Sequence, residues 1–276
     1  MINHSFFGYI KNGDIMKTIL FTGARGGIIS SVIDNLKNKR YKIYVTVHTE
    51  TQLESIKKKY NKYSNIECLK LDVTSKEDRQ NIKNLDIDIL VLNGAIGYGG
   101  SICEMDMDLV RNNFEVNVFS NFEIVQLFIG NMIHKNKGKI IFMSSLAAIY
   151  PTSFIGAYSA TKASINRLAL TLKKELSLIN SNIKISIIEP GFYHTGFNQV
   201  MFQNKYDWMD TETYFNSCID IIRKKEHFIE KYIEKKNLNS VKKKILCAIK
   251  DKNPNTIYRV PFFQSFMAKG YQILFE

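Results

Sequence analysis

The chain has 276 residues, of which 45% are hydrophobic and 23% are charged, and its formal net charge is +12. This length favours one large α/β or all-β domain, and the composition excludes collagen-like, low-complexity and wholly disordered proteins. The four cysteines, at positions 68, 103, 218 and 247, are far apart and include no C-x-x-C pair. We therefore expect neither a disulfide scaffold nor a metal site, and a reducing, cytoplasmic location.

The positive charge is concentrated in residues 221–252, which hold eleven Lys and Arg against four Asp and Glu. These residues alternate with apolar ones at helical spacing, a pattern typical of the solvated face of amphipathic helices. No aromatic-basic RNA motif or zinc finger accompanies the charge, so we expect no nucleic-acid partner. The first fifteen residues lack the basic region and apolar stretch of a secretory signal.

Strand and helix patterns alternate regularly from Met16 onward. Short apolar runs rich in β-branched residues predict strands at 17–23, 41–47, 66–73, 87–94, 138–145 and 183–191. Helical patterns lie between them at about 28–39, 50–60, 75–84, 104–135 and 157–179. This alternation predicts an α/β fold: a Rossmann-type, doubly wound parallel β-sheet with helices on both faces. We expect a single domain over 16–276, preceded by a loosely ordered extension at 1–15.

The pattern changes after the sixth predicted strand. Residues 192–236 predict a lid, because ligands of open α/β sheets bind beyond the carboxyl ends of the strands. A last short strand is predicted at 257–260. The lid region is rich in aromatic residues, namely Phe192, Tyr193, Phe197, Phe202, Tyr206, Trp208, Tyr214 and Phe215. These rings either line an apolar cavity or only pack the lid onto the core, and the sequence favours neither.

Two motifs carry chemistry. The first strand runs through Thr22-Gly23-Ala24-Arg25-Gly26-Gly27-Ile28-Ile29 into a helix, and such a turn lets backbone approach a phosphate at a helix N-terminus. Tyr158 and Lys162, four residues apart, share one helix face. An ammonium near a phenol favours the phenolate, and Ser145, at a strand end, is suited to donate to a developing alkoxide.

Together these residues resemble the short-chain dehydrogenase/reductases, from Lys17 to about Thr195 and more loosely to Val260. The matching segments are TGARGGII at 22–29, LDVT at 71–74, the strand end at Asn93, EVNVFS around Asn117, SSLAAIYPTSFIGAYSATK at 144–162 and Pro190-Gly191-x-x-x-Thr195. The C-terminal KNPNTIYRVPFF resembles the hydroxysteroid and retinol dehydrogenase branch of that family.

The resemblance implies an NAD(P)(H)-dependent oxidoreductase that interconverts a carbonyl and an alcohol by hydride transfer. Tyr158 would be the acid or base and Ser145 would orient the substrate oxygen. Lys162 would hold the nicotinamide ribose and lower the Tyr158 pKa, and Asn117 would position a relay water. The implied cofactor residues are Thr22, Gly23, Arg25, Gly27, Ile28, His48, Asp72, Val73, Asn93, Gly94, Tyr158, Lys162, Pro190, Gly191 and Thr195.

The second predicted strand ends in Val47 and His48, with no acid to bind a ribose 2′-hydroxyl, so NADP is favoured over NAD. Arg25 and His48 are the cations expected to face its 2′-phosphate. The chain departs from the family pattern at Ile29, where a third glycine is usual, at Leu92-Asn93-Gly94-Ala95 and at Arg40. The altered glycine turn supports an alternative, a dinucleotide-binding regulatory protein with little turnover. A methyltransferase would leave Ser145, Tyr158 and Lys162 unexplained.

The expected substrate is a lipophilic alcohol or ketone of steroid, retinoid or long-chain type, and the expected assembly is a homodimer or homotetramer. An apolar stripe follows the last strand, at Phe262, Phe263, Phe266, Met267, Tyr271 and Leu274. We expect this stripe to dock on the protein's own body or on a partner subunit, with peripheral membrane contact less favoured.

Overall fold

The computed structural model describes residues 10–11, 14–210 and 212–275. It contains a seven-stranded sheet in which every neighbouring pair of strands is parallel, and a two-stranded antiparallel pair precedes it. The strands are β1 (Ile10–Lys11), β2 (Asp14–Ile15), β3 (Lys17–Phe21), β4 (Tyr41–Val47), β5 (Ile66–Lys70), β6 (Ile89–Leu92), β7 (Lys139–Met143), β8 (Lys184–Pro190) and β9 (Ile257–Val260). The order in the large sheet is β5-β4-β3-β6-β7-β8-β9, so the predicted doubly wound sheet is confirmed.

Helices connect the strands and cover both faces of the sheet. They are α1 (Gly27–Leu36), α2 (Glu50–Tyr60), α3 (Lys76–Ile82), α4 (Met107–Phe114), α5 (Ser120–His134), α6 (Gly156–Leu178), α7 (Phe197–Asn204), α8 (Tyr206–Met209), α9 (Ile219–Phe228), α10 (Asn239–Lys250) and α11 (Phe262–Phe275). One π-helical turn at Glu115–Phe119 joins α4 to α5, and another at Ile229–Ile233 follows α9.

The two faces of the sheet carry separate apolar cores because successive strand residues point to opposite sides. Ile19 and Phe21 of β3 face the layer formed by α1, α2 and α10. Leu20, between them, faces the layer formed by α5 and α6. Since both faces are covered, the central strands are apolar throughout, and their carboxyl ends are left as the accessible edge.

The six strands predicted after Met16 are present; β4 has its predicted bounds, and the other five end one to three residues before their predicted limits. The short strand at 257–260 is also confirmed. The single helix predicted over 104–135 is instead interrupted. It begins at Met107, where the Asp106 side chain caps the Asp108 N–H, and it changes to π-helical geometry at Glu115. Of the predicted extension at 1–15, residues 10–11 and 14–15 form β1 and β2, and the rest lies outside the described residues.

Four residues of the apolar stripe of α11 do not dock on the protein's own body, so that part of the expectation is wrong for them, and docking on a partner subunit stays a prediction. Phe262 is 84% exposed, and Phe263, Phe266 and Met267 are also exposed. The helix buries its smaller residues against the body instead, and Tyr271 alone of the stripe makes a described ring contact with it, to Tyr150. The side chain of Leu274 lies outside the described residues. Within those residues, no helix has the length and apolarity required to cross a bilayer.

Candidate active site

The end of β3 forms a close backbone junction with the end of β6. Gly23 has a φ of +60°, and a Cβ on it would lie 2.7 Å from the Cα of Gly94, so a side chain is excluded there. The Thr22 hydroxyl accepts hydrogen bonds from the N–H groups of Asn93 (2.9 Å) and Gly94 (3.0 Å). The Asn93 side chain donates to the Gly23 carbonyl (2.9 Å). Four predicted cofactor residues therefore meet in one rigid floor.

The N-terminus of α1 opens onto this floor. Gly26 precedes the helix and Gly27 begins it, with neither a side-chain cap nor an acidic residue in the first turn. The first N–H groups are therefore available to an anion, which the helix dipole also favours. Gly27 faces Thr195, whose Cγ2 would lie 3.6 Å from a Cβ on the glycine. Ile28 lines a cavity that Gly23, Gly26 and Gly27 also line. Ile29, by contrast, is fully buried in the core. This arrangement fits the pyrophosphate of a dinucleotide.

The floor and the start of α1, residues 22–27 with Asn93 and Gly94, together form what we call the glycine cradle. Arg25 lies at the rim of this cradle. The Ala24 N–H donates to the Thr46 carbonyl (2.9 Å), which ties the glycine-rich turn to the end of β4. Arg25 is exposed, and it makes no ion pair with any residue that the structure describes. Val47, at the position where an acid would mark an NAD site, is buried in the core layer of α1.

His48 and Asp72, predicted on different parts of the nucleotide, contact each other. His48 Nε2 lies 3.3 Å from Asp72 Oδ2. Partial burial would raise the pKa of Asp72, but hydrogen bonds from the Thr74 hydroxyl and N–H, and then His48, outweigh it and lower that pKa. Beside Asp72, the carbonyl of Val73 accepts a hydrogen bond from Arg79 Nη1. The side chain of Val73 packs near Gly94. A carboxylate thus lies beside one of the two cations expected to favour a 2′-phosphate.

Three of the four predicted catalytic residues, Ser145, Tyr158 and Lys162, line one cavity of about 260 Å³ at the carboxyl edge of the sheet, and Asn117 does not. Tyr158 and Lys162 project from the same face of α6, and Lys162 Nζ lies 5.6 Å from the centre of the Tyr158 ring. Lys162 Nζ donates to the Met143 carbonyl (3.0 Å), which fixes it at the end of β7. Ser145, two residues later, accepts from the Ala147 N–H (3.1 Å) and donates to the Pro190 carbonyl (3.4 Å).

Burial dominates the proton affinities of this group. Burial raises the pKa of Tyr158 well above its ordinary value, and the hydrogen bond with Ser145 offsets only part of the rise. Burial lowers the pKa of Lys162 to about 8. The expected lowering of the Tyr158 pKa by Lys162 is therefore absent in this structure, because desolvation of the phenolate is the larger effect. The raised pKa keeps the phenol of Tyr158 protonated at neutral pH.

Asn117 occupies the π-helical turn between α4 and α5. Its side chain pairs with both backbone groups of Ile96 (2.9 Å each) and donates to the Thr161 hydroxyl (3.0 Å). The backbone carbonyl of Asn117 accepts a hydrogen bond from the Asn121 side chain (2.6 Å). In this structure Asn117 ties the segment after β6 to α6, the helix that carries Tyr158, and its polar groups already have protein partners.

The turn after β8 is held by the C-terminal helix. The Gly191 N–H donates to the Val260 carbonyl (2.7 Å), and a Cβ on Gly191 would overlap the side-chain oxygen of Gln264. Gln264 accepts from the Phe192 N–H (2.8 Å) and donates to the Ile233 carbonyl (3.0 Å), so one amide joins both ends of the lid. Sequence reasoning missed Gln264, since one polar residue within an apolar stripe gave no signal.

Glu234 is a second lid residue that the sequence did not reveal. Its carboxylate is 1% exposed and contacts His194 Nδ1 (2.8 Å), Asn198 Nδ2 (2.7 Å) and Gln199 Nε2 (2.9 Å). These three side chains flank Thr195 and Phe197 in the sequence, and both of those residues line the cavity. Glu234 stands in a lysine-rich run that was interpreted as a solvated face, and nothing local distinguishes it from the exposed acids there.

The lid aromatics divide between the two roles that the sequence left open. Three of them, Phe192, Tyr193 and Phe197, line the cavity, and the Phe197 ring lies 5.5 Å from the ring of Tyr158. The others do not line it. Phe202 and Tyr206 are buried, Phe215 contacts Phe154, Tyr214 is exposed, and Trp208 packs on Gly100. Among the described residues there is no group of three or more His, Cys, Asp or Glu side chains able to hold a metal ion.

Residues 17–206 match a family model described as short chain dehydrogenase. An uncharacterized oxidoreductase of Staphylococcus saprophyticus is 28% identical over 187 residues, which are 65% of this chain and 79% of that relative. Estradiol 17-beta-dehydrogenase 2 of Rattus norvegicus is 24% identical over 264 residues, which are 88% of this chain and 67% of that enzyme. The closed form of serine dehydrogenase complexed with NADP+ has the same fold, with a TM-score of 0.74, 20% identity, and coverage of 90% of this chain and 96% of that one.

Proposed function

The chain belongs to the short-chain dehydrogenase family and is therefore an oxidoreductase that uses a nicotinamide dinucleotide, and we propose that it reduces a ketone with Tyr158 as the proton donor. The observation that carries the proposal is the burial of Tyr158 beside Lys162 and Ser145 in a cavity that continues into the glycine cradle. The regulatory alternative, binding without turnover, leaves this buried group without a use.

The residues proposed to hold the dinucleotide are those of the cradle and of the turn after β8. The N–H groups at Gly27 and Ile28 would bind the pyrophosphate, and Thr195 would meet the nicotinamide amide. The nicotinamide, when bound, supplies a hydride to the carbonyl carbon or accepts one from the alcohol carbon. The fit is supported by the uncapped N-terminus of α1 and by the close approach of Gly23 to Gly94.

The proton steps belong to this chain's own residues. Tyr158 Oη donates a proton to the carbonyl oxygen, and the Ser145 hydroxyl turns from the Pro190 carbonyl to donate a hydrogen bond that orients the same oxygen. The raised pKa keeps Tyr158 protonated near neutral pH, which favours the reductive direction. In oxidation, the tyrosine must first lose its proton, and the charge of Lys162 then stabilises the phenolate.

Tyr158→Phe tests the proton donor. This variant keeps the ring but removes the transferable proton, so reduction of a ketone by NADPH should fall by roughly a thousandfold, within the range of general acid catalysis. Cofactor affinity, followed by NADPH fluorescence, should stay within about twofold of the parent. The matched control is Tyr150→Phe, which changes another tyrosine of the same cavity. Turnover retained in Tyr158→Phe would remove Tyr158 from this role.

The preference for NADP over NAD is a separate proposal. It is supported by Arg25 at the cradle rim, whose charge has no ion-pair partner among the described residues, and by the burial of Val47, while the contact of His48 with Asp72 weakens the contribution of the histidine. A charge-assisted contact contributes about 1.5 to 3 kcal/mol, so NADPH should bind at least roughly tenfold tighter than NADH.

Arg25→Ala tests this preference. It should weaken NADPH binding and leave NADH binding unchanged, whereas Lys39→Ala, a distant exposed charge, should change neither. Equal weakening of both cofactors by Arg25→Ala would assign Arg25 to the turn and not to the 2′-phosphate.

The substrate is proposed to be a lipophilic ketone or alcohol. The cavity wall opposite the cradle is apolar, with Ile155, Phe192, Phe197 and Met201. The rat relative is named for the steroid estradiol. A panel of steroid, long-chain and short polar ketones tests this proposal, and a higher kcat/KM for the short polar ketones would contradict it.

The domain, assembly and location are proposed as follows. Residues 16–276 form one domain with 192–236 as the lid, and limited proteolysis should cut first within the lid. The assembly is a homodimer or homotetramer, supported by the exposed apolar side chains of Leu168 and Leu178 on α6 and Ile133 on α5. A monomeric mass by light scattering would contradict this. A cytoplasmic location is supported by the four free cysteines.

A further inference from the structure

A second cavity, of about 660 Å³, lies at the amino-terminal edge of the sheet. Its walls come from the first residues of four strands, β3, β6, β7 and β8, from the turn before β7 and from the end of α10. Six lysines line it, namely Lys17, Lys137, Lys139, Lys184, Lys250 and Lys252. These residues are far apart in sequence, so the cavity exists only because the parallel strands bring their amino ends together.

This cavity is separate from the candidate active site. Lys139 begins β7, whereas Ser145 lies two residues beyond the other end of that strand. A strand rises about 3.3 Å per residue, so the two positions are roughly 20 Å apart. None of the residues proposed to bind the dinucleotide lines this cavity. The proposed reaction therefore makes no use of it.

The charge in the cavity is unbalanced. Among the residues that the structure describes, one acid, Asp88, lines it, and its carboxylate accepts from the Thr18 N–H (2.9 Å). Six lysines and one aspartate leave a net charge of 6 − 1 = +5. Within the described part of the chain, five of the lysines make neither an ion pair nor a side-chain hydrogen bond. Elsewhere lysines pair readily with acids, as Lys42 does with Glu67 (2.7 Å).

Lys139, the sixth lysine, is held in place by other contacts. Its ammonium donates to the carbonyls of Ile249 (2.7 Å) and Asp251 (2.6 Å), and more weakly to that of Ala248, at the end of α10. Burial, followed by the nearby charge of Lys17, lowers the pKa of Lys139 to about 8, and the charge of Asp251 opposes that shift only in part. The lysines thus repel one another in the free protein, and a bound anion would relieve that repulsion.

We infer that this cavity binds a compact polyphosphate group. Several phosphates on one short chain match several ammonium groups in one concavity, and lysine binds phosphate as a point charge. The amides of Asn182 and Asn253, which also line the cavity, add uncharged donors. No aromatic ring from the described part of the chain lines it, whereas proteins that bind single-stranded nucleic acid stack bases on such rings. Recognition is therefore of the phosphate chain and not of a base.

The test is a calorimetric titration of the full chain with inorganic tripolyphosphate at constant ionic strength. One-to-one binding is expected, with a dissociation constant below about 1 mM. The double variant Lys250→Gln/Lys252→Gln should weaken it by roughly tenfold or more, because charge-assisted contacts are lost. The matched control, Lys57→Gln/Lys58→Gln, removes two exposed charges on α2 and should change the affinity by less than about twofold. NADPH affinity should be the same in all three proteins.

Titrations with other phosphate compounds and with a cradle variant identify the source of the phosphate and the place where it binds. ATP should bind about as tightly as tripolyphosphate, and AMP much more weakly, because the chain of phosphates carries the recognition. The inference is overturned by the absence of saturable binding, or by equal weakening in the control variant. Loss of binding in Arg25→Ala alone would also overturn it, since the probe would then occupy the cofactor cradle. The inference is also overturned if an oligonucleotide displaces tripolyphosphate at a lower total concentration of phosphate groups, since the cavity would then prefer nucleic acid.

Discussion

A buried ion pair holds the lid together, and removing one partner should destabilise the lid strongly. Lys205 is the single residue between α7 and α8, and its side chain is 0% exposed. Its ammonium donates to Glu226 of α9 and to the Phe202 carbonyl (2.8 Å). The second oxygen of Glu226 accepts from the Tyr206 hydroxyl (2.6 Å). Burial lowers the pKa of Lys205 and Glu226 opposes that effect, so the pair compensates a charge that has no access to water.

Glu226→Ala would leave the Lys205 ammonium buried with one carbonyl and two aromatic rings as its remaining partners. Breaking a buried pair by removing one partner costs about 3 to 5 kcal/mol, because a desolvated charge is left uncompensated. Lys205→Met/Glu226→Leu removes both charges and fills a similar volume. That double variant should be within about 2 kcal/mol of the parent or more stable. The matched control is Asp86→Ala, which breaks the more exposed pair with Lys135 and should cost less than about 1 kcal/mol.

Urea unfolding followed by tryptophan fluorescence suits this measurement, because Trp208 is the single tryptophan of the chain and belongs to α8 within the lid. Circular dichroism of the same samples reports the whole fold. We expect Glu226→Ala to lower the urea midpoint of the fluorescence transition more than Asp86→Ala does. If the two single variants lose equal stability, or if the double variant is as unstable as Glu226→Ala, burial of the Lys205 charge is not the cause.

Two further predictions concern stability. Lys162→Met should be more stable than the parent near about pH 7, where the parent buries an ammonium. This stability advantage should shrink between about pH 8 and pH 10.5, since the folded parent releases the Lys162 proton at a lower pH than the unfolded chain does. A difference in the free energy of unfolding that does not change with pH would contradict this. Gly100→Ala should lose about 1 to 3 kcal/mol or more, because its Cβ would lie 2.2 Å from the Trp208 ring and φ is +147°. Gly130→Ala, in open space on α5, should instead gain about 0.5 to 1 kcal/mol, and equal thermal shifts for both variants would refute the steric argument.

Local patterns were sufficient to predict the sheet and the catalytic pair. Strands β3 to β8 are apolar runs closed by small or polar residues, and this signal depends only on neighbours in the chain. Tyr158 and Lys162 share a face because any helix places residues four apart together. The glycine requirement at Gly23 is also local in sequence, although its cause is the approach of Gly94 from a different strand.

Contacts between distant residues were beyond prediction from the sequence. The contact of His48 with Asp72, the bridge of Gln264 across the lid and the burial of Glu234 each join segments whose separation along the chain gives no local pattern. The proton affinity of Tyr158 was expected to follow from its nearest charge, Lys162, but it follows from burial, which many residues create together.

The lysines illustrate the same division. The sequence established how many there are and, through helical spacing, that most of those in 221–252 face solvent. Whether a lysine is paired, buried or clustered depends on which segments the strand order brings together. Lys205 and Lys139 are alike in the sequence, but the lid encloses one with a carboxylate, while the amino edge of the sheet places the other among five like charges. Spacing along the chain determines secondary structure, whereas electrostatic environment is set by distances through space, which only the folded chain defines.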